Sequence, residues 1–426
     1  MKKIIKFITR MYRQVIRSIA FYPVLISLFY GILALIALSL DNWEIVHSIK
    51  KNVPYLFIQD YETARSILSV LIGGVISLTV FSFSMVMVVL GQASSNFSPR
   101  LLPGLISNSE HQIILGIYVG TLLYCIIILT SLGALGMDTD TIGLSTMLAA
   151  ILSVICIALF VYFIHNISGA IQIHNIIDRI FSKCNDFAER ELKQSNILQI
   201  STGHTETSEW KVLRSDRSGY VRGIDTRIIK DSIKAQNNQI EIIPYPNMHV
   251  WKGKPILRIQ KDLTKEEIKN LMLCMDISSN RYENDYGIGG MIKLMEIAVK
   301  AMSPGINDPG TAIDTIEKLG GLLRKFLRFP QKTAQALDKG QCVLIKNNIP
   351  AKELMRTIIQ PIRFYAKQDS LVLYELIDAL RLIAKCPNLC NENSRVVKLE
   401  INSLRKDIEY HIVNSSDRNQ LLAKFE

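Results

Sequence analysis

Residues 66–99 read SILSVLIGGVISLTVFSFSMVMVVLGQASSNFSP and contain no Asp, Glu, Lys or Arg. Crossing a hydrocarbon core takes roughly 20 apolar residues, and this run supplies more. Wholly helical, it would be about 50 Å long. The helix is therefore expected to protrude from the bilayer and to break at NFSPRLLPG, where Pro99, Pro103 and Gly104 interrupt it. Three further runs share the pattern: 18–40, 112–137 and, bar His165 and His174, 141–177. Helices are expected near 18–40, 65–91, 112–136 and 142–165, so that 18–169 forms a four-helix transmembrane domain. The first run lacks the small-residue cleavage site of a signal peptide.

The second span holds a line of small and polar residues. Ser66, Ser69 and Gly73 follow i, i+3, i+7 spacing, Ser77 and Ser84 extend it, and Gln92 lies near the inner end. Small side chains let helices approach closely, and a polar line can equally face a narrow aqueous path. Both readings are open from the residues. No span core carries an ionisable residue other than the two histidines, which argues against a proton-coupled pump of the usual kind.

Orientation follows from the basic residues. Lys2, Lys3, Lys6, Arg10, Arg13 and Arg17 precede the first span without an acid among them. The loop 41–62 holds Asp41, Glu44, Asp60 and Glu62 against Lys50 and Lys51, and the third and fourth spans are joined through Asp138–Asp140. Both termini are expected on the cytoplasmic side of the membrane. Residues 1–17 place Ile4, Ile5, Ile8, Met11, Tyr12, Val15 and Ile16 at helical spacing, with the bases on the other side. They read as an amphipathic helix on the membrane surface, or one packed on the protein's own tail. The formal net charge of +11 sits beside membrane segments, so an anionic lipid surface is the nearer partner. The basic tail lacks the aromatic interleaving that grips single-stranded nucleic acid, and no nucleic-acid partner is expected.

The rest is mixed in class. A helical linker is expected over 170–205. A small β-rich unit follows over 206–261, where alternating runs are broken at Asp216–Gly219, PYPN and WKGKP. Its strand–turn pattern is weakly similar to small sandwich barrels of the lipoyl type. A mainly helical domain, α+β in character, is expected over 262–426. Thr264 with Glu267 fits a capping box. Ile288, Ile292, Met295 and Val299 make one apolar face; Ala312, Ile313, Ile316, Leu319, Leu322 and Leu323 make the next. Helical runs follow at Leu354–Ile362, Leu371–Ala384 and Arg395–Val413.

Between those two faces lies AMSPGINDPGTAID, Ala301–Asp314. A residue before proline avoids the α region, so Ser303 should end the first helix. Pro304–Gly305 reads as a type II turn. Asn307 or Asp308 can cap the next helix with Pro309 at its first position. The competing reading is an ion or small anionic ligand held at the helix start by Asn307, Asp308 and Thr311, with Ser303, Arg281 and Asp285 nearby.

The seven cysteines, Cys125, Cys156, Cys184, Cys274, Cys342, Cys386 and Cys390, form no disulfide grammar. CPNLC, Cys386–Cys390, lacks a second pair for zinc. No metal site and no cofactor is expected. Glu283, Asp285, Asn307, Asp308 and Asp314 are the carboxylate and amide groups an acid–base or cation site would use, but H-E-x-x-H, G-x-S-x-G and Walker patterns are absent.

Four stretches carry a resemblance: Ser94–Arg100 (SSNFSPR), Ser218–Val221 (SGYV), Asp285–Ile288 (DYGI) and Ala301–Ala312 (AMSPGINDPGTA). On these the chain resembles the DUF2254 family of predicted bacterial membrane proteins over nearly its whole length. Met302 replaces the expected leucine, and Gly310 stands where an aromatic is common. The resemblance implies the four-span architecture and no activity. The residues leave three readings: an oligomeric ion channel or passive conduit gated by its cytoplasmic domain, a membrane-anchored sensor or scaffold for a small ligand or protein, and, least favoured, an enzyme.

Overall fold

The computed structural model describes residues 20–41, 43, 60–96, 109–134, 143–170, 172–197, 207–279, 287–337, 342–387 and 389–426. The expected surface helix at 1–17 lies outside them. Two compact units divide the chain, one holding the four long apolar helices and the other everything from Ile173 onward.

The first unit consists of α1 (Phe21–Asp41), α2 (Tyr61–Asn96), α3 (Ser109–Ala134) and α4 (Gly143–Ala170). All four are long and apolar enough to cross a membrane. The second, at 36 residues, is the longest, and it runs on to Asn96, just before the prolines. The core gathers on α3, whose Tyr118, Tyr124, Cys125 and Ile128 are fully buried. Gly116 and Gly120 make this packing possible. A Cβ on Gly116 would come within 2.8 Å of Ile26 and 3.0 Å of the Pro23 backbone, and one on Gly120 within 2.8 Å of the Tyr30 ring. The pair forms a small-xxx-small surface on which α1 lies.

Asp41 ends α1 and is buried. Its carboxylate accepts from the amides of Leu144 (2.9 Å) and Ser145 (3.0 Å) and from the Ser145 hydroxyl. One helix thus caps the start of another, satisfying amides that the first turn of α4 leaves without helical partners.

The second unit opens with α5 (Ile173–Ile197), which belongs to the expected linker region. Strands β1 (Lys211–Arg214) and β2 (Gly219–Ile224), the single turn α6 (Asp231–Lys234), then β3 (Asn238–Ile242), β4 (His249–Val250) and β5 (Pro255–Ile259) follow. Next come α7 (Lys265–Cys274) and β6 (Met275–Ser278). The Thr264–Glu267 capping box forms in full at the start of α7. Two helices, α8 (Ile288–Ala301) and α9 (Pro309–Phe326), lead to the hairpin β7 (Lys332–Leu337) and β8 (Cys342–Asn347). The chain ends in helices: α10 (Ala351–Leu354), a π-helical turn at Met355–Ile359, α11 (Gln360–Ala366), α12 (Ser370–Ala384), α13 (Asn391–His411) and α14 (Ser415–Ala423). The π turn abuts Pro361, which has no amide to give to the preceding turn.

Among the described residues the strands form two sheets and no closed barrel. The larger has the order β1-β5-β3-β8-β7 and the smaller β4-β2-β6. β3 pairs with β8 in parallel from Asn238↔Cys342 to Ile242↔Lys346, so strands from beyond residue 262 complete a sheet begun before it. The SGYV stretch opens β2. Gly219 has φ 152°, and a Cβ there would lie 2.8 Å from the Ser278 carbonyl on β6, which glycine avoids. The face of α9 is buried as expected at Ala312, Ile316, Leu319, Leu322 and Leu323. On α8 Ile288 and Ile292 are buried, but the core line runs through Met291, Leu294, Ile297, Ala298 and Ala301, leaving Met295 and Val299 half-buried. That helix is covered from a second side by α5: a Cβ on Gly290 would stand 2.0 Å from the Cys184 sulfur.

On β3, Ile240 and Ile242 face the apolar core and Glu241 lies on the other face. Its side chain is 2% exposed and ties four segments together. Arg258 of β5 donates to it at 3.0 Å, Lys332 of β7 at 2.8 Å and Asn347 of β8 at 3.2 Å. Burial pushes this carboxyl upward, but hydrogen bonds from Lys332, Thr207, Asn347 and Arg258 outweigh it and hold it at about 2, against an ordinary 4.5. A depressed carboxyl pKa adds stability that is complete above the unfolded value and lost as pH falls through the folded one. The group therefore contributes about 3 kcal/mol above pH ~4.5, which disappears between pH ~4.5 and ~2. Denaturant unfolding of the full chain in detergent, followed by Trp210 and Trp251 fluorescence, is expected to show an acid-labile component over that window. Glu241→Gln should flatten it and lower stability at neutral pH.

Candidate functional site

The stripe on α2 has one clear geometric property. At 100° per residue the buried residues Ala64, Leu68, Val75, Ser82 and Val89 trace one side of the helix. Ser66, Ser69, Gly73, Ser77 and Ser84 lie on the opposite side, and all are exposed within the chain, as is Gln92 near the C-terminal end of the helix. A Cβ on Gly73, Gly74 or Gly91 would meet nothing within 4 Å. The Ser77 hydroxyl donates to the Gly73 carbonyl at 2.9 Å, so part of its polarity is turned back into the helix. Around the stripe stand Val70, Ile76, Val80, Phe81 and Val88, all exposed. One side of α2 thus fastens it to its own bundle, and the other presents small and polar groups outward.

The turn between α8 and α9 resolves into backbone bonds. Helix α8 ends at Ala301, and the Ser303 hydroxyl donates to the Lys300 carbonyl at 2.6 Å. The amides of Ile306 (3.0 Å) and Asn307 (2.9 Å) donate to the Ser303 carbonyl, and the Asp308 amide donates back to the Ala301 carbonyl at 2.8 Å. A type II turn at Pro304–Gly305 would need positive φ at Gly305. The positive φ is instead at Asn307, 48°. The left-handed residue is therefore an asparagine, the non-glycine type that best tolerates it. Asp308 caps α9: one carboxylate oxygen accepts from the Thr311 amide (3.1 Å), the other from the Thr311 hydroxyl (2.6 Å), with Pro309 at the first helical position. Asn307 and Asp308 have separate tasks, one turning the chain and one starting the helix. Both are exposed. Ser303, Asn307, Asp308 and Thr311 are brought together; Arg281 and Asp285 lie outside the described residues.

One cluster escaped the sequence reading. His174 of α5 has Nε2 3.1 Å from Asp178 and Nδ1 3.2 Å from Asp314 of α9. Lys318 lies 2.9 Å from Asp178 and 2.5 Å from Asp314. The Lys318 hydrogen bond holds Asp178 below the usual carboxylate range. Burial lowers the lysine's own pKa, but its bonds to Asp314 and Asp178 raise it overall. The i, i+4 spacing of His174–Asp178 and Asp314–Lys318 was the available signal. Nothing in the sequence told that the two pairs face each other.

A family profile described as "Predicted membrane protein (DUF2254)" matches residues 16–382. Uncharacterized protein Rv1290c of Mycobacterium tuberculosis is 23% identical over 380 residues, covering 84% of this chain and 71% of that protein. Uncharacterized protein Mb1321c of Mycobacterium bovis matches at the same identity and coverage. No solved structure matches the chain.

The assignment of the turn is testable by stability alone. Asp308→Ala is expected to cost about 1 kcal/mol as a lost helix cap. Asn307→Val should cost about 1–2 kcal/mol for forcing a branched residue left-handed, while Asn307→Gly stays near neutral. Denaturant titration of the full chain reads all three; equal losses for glycine and valine at 307 would refute the backbone role.

Proposed function

The chain belongs to the DUF2254 family of predicted membrane proteins, and from that premise we propose that it acts as a homo-oligomeric conduit for small ions in the bacterial inner membrane. In this reading the stripe of α2 faces the symmetry axis. Both termini and the second unit lie in the cytoplasm, where the second unit gates the path and its basic residues neighbour anionic lipid. The single observation behind the reading is the stripe's position opposite the side by which α2 packs into its own subunit. A cyclic ring repeats one surface around its axis, so each copy supplies the same line of hydroxyls and glycines. The domain scheme expected from the sequence serves the same proposal: spans within 18–169, a helical linker over 170–205, a β-rich part over 206–261 and a helical part over 262–426. The lysines and arginines of residues 2–17 support the orientation by the positive-inside rule.

Purified protein in liposomes is expected to release potassium or chloride down an imposed gradient. Ser77→Phe and Ser84→Phe should abolish that release while leaving insertion and elution volume unchanged. Full release by both variants would remove the stripe from the path.

A further inference from the structure

The interior of the first unit carries polar groups that helix packing does not require. On α3, His111, Tyr118, Thr121 and Cys125 share one face, being seven, three and four residues apart. Tyr118, Thr121 and Cys125 are fully buried. The neighbouring helices bring polar groups to that face. Ser82 of α2, 4% exposed, lies beside the Tyr118 hydroxyl. The Cys156 thiol of α4 donates to Thr121 Oγ1 at 3.4 Å, and Tyr30 of α1 reaches the same hydroxyl.

Further polar or ionisable groups stand beyond this face toward either end of α3, Tyr124 being about a quarter turn away from it. At one end the Tyr124 hydroxyl donates to the Ser145 carbonyl at 3.1 Å, and the Ser145 hydroxyl is bonded to the Asp41 carboxylate. At the other, Glu110 pairs with Asn166, and the His111 ring stands edge-on to Phe163, 5.5 Å between centroids. From Glu110 to Tyr124 the helix rises about 21 Å, most of a hydrocarbon core of about 30 Å.

Among the described residues, Gln112 Oε1 and His111 Nδ1 are buried with no hydrogen-bond partner, and Ser82 Oγ and Tyr118 Oη have none beyond each other. Tyr118 is 0% and Ser82 4% exposed, so neither turns toward the surroundings of the chain. A buried polar group without its full set of hydrogen bonds is costly, and lipid supplies no partner. Phenylalanine and alanine would fill the same space without that cost.

We propose that this line is a proton path inside each subunit, running between Asp41 and His111 with water bridging the hydroxyls. A hydroxyl accepts a proton on its lone pair and releases its own to the next acceptor. O–H bonds, and at His111 an N–H bond, are broken and re-formed, no electrons move, and each hydroxyl rotates back to its starting orientation before the next proton. The path is selective for protons because Tyr118 and Thr121 are enclosed and no carboxylate lines the middle, leaving nothing to replace the hydration of a metal cation. It lies within one chain and does not depend on the α2 stripe.

The test uses full-length protein in liposomes containing a pH-sensitive dye, with a pH gradient and a potassium–valinomycin potential. Wild type is expected to carry protons, Tyr118→Phe to lower the rate at least tenfold, and Thr121→Val to do the same. Thr121→Ser, which keeps the hydroxyl, should retain the rate, separating a relay from a packing role; elution profile and thermal midpoint verify that each variant folds. Ser77→Phe should leave proton flux intact even where it stops potassium or chloride, so this proposal and the axial conduit fail separately. No wild-type proton flux, equal rates in wild type and Tyr118→Phe, or equal loss in Thr121→Val and Thr121→Ser overturns it.

Discussion

The close approach of α1 to α3 at Gly116 and Gly120 organises the membrane unit. With Pro23, Ile26 and Tyr30 lodged where Cβ atoms would stand, α1 occupies one side of α3. The other side is left for α2 and α4, through Val75, Val89, Cys156 and Phe163 around Tyr118. Lipid offers no hydrophobic drive for helices to associate, so such backbone-level fits carry the association. The capping of α4 by Asp41 follows from this placement, because it needs the end of α1 beside the start of α4. Helix α2 joins the bundle by one line of contacts, which is why its stripe faces outward.

The second unit solves a different problem, closing a sheet from strands far apart in sequence. β3 and β8 are parallel partners separated by α7, α8 and α9, and the apolar core alone does not fix their register. Glu241 helps to fix it. Its two oxygens meet Arg258 from one side and Lys332 and Asn347 from the other, and a slip of one residue would turn it into the apolar core. A buried charge with this many partners is costly to break, whatever its net contribution.

These two constraints differ in how far the sequence reveals them. The four spans were legible because hydrocarbon thickness sets a length and lipid forbids charge; 66–99 satisfies both without any tertiary information. The Thr264–Glu267 box and the Asp308–Pro309 start were legible because capping is local. The left-handed turn was placed at Gly305 and formed at Asn307, since bonds from two amides to the Ser303 carbonyl and from Asp308 to Ala301 decide it and composition does not. The parallel β3–β8 pair, the Asp41 cap and the His174 cluster were not legible. Each joins residues many tens of positions apart, and no periodicity encodes such a pairing. Gly116–Gly120 carries a small-xxx-small spacing in the sequence, though the second span is richer in glycine and serine.

The turn and the His174 cluster belong to one mechanical arrangement. Asn307 and Asp308 fix where α9 starts, and the first three turns of α9 carry Asp314 and Lys318. Those side chains grip Asp178 and His174 at the start of α5, the first element of the second unit. Further along the seam, Lys325 holds Glu189 at 2.7 Å and Asn185 of the same helix. Both nitrogens of His174 face carboxylates, one on its own helix and one on α9. An error in the α8–α9 turn would therefore shift a row of charged contacts along α5, well beyond the loop itself. A strict turn is required there because α9 is packed on α8 and paired with α5 at once, and a helix held on two sides has little freedom in where it begins.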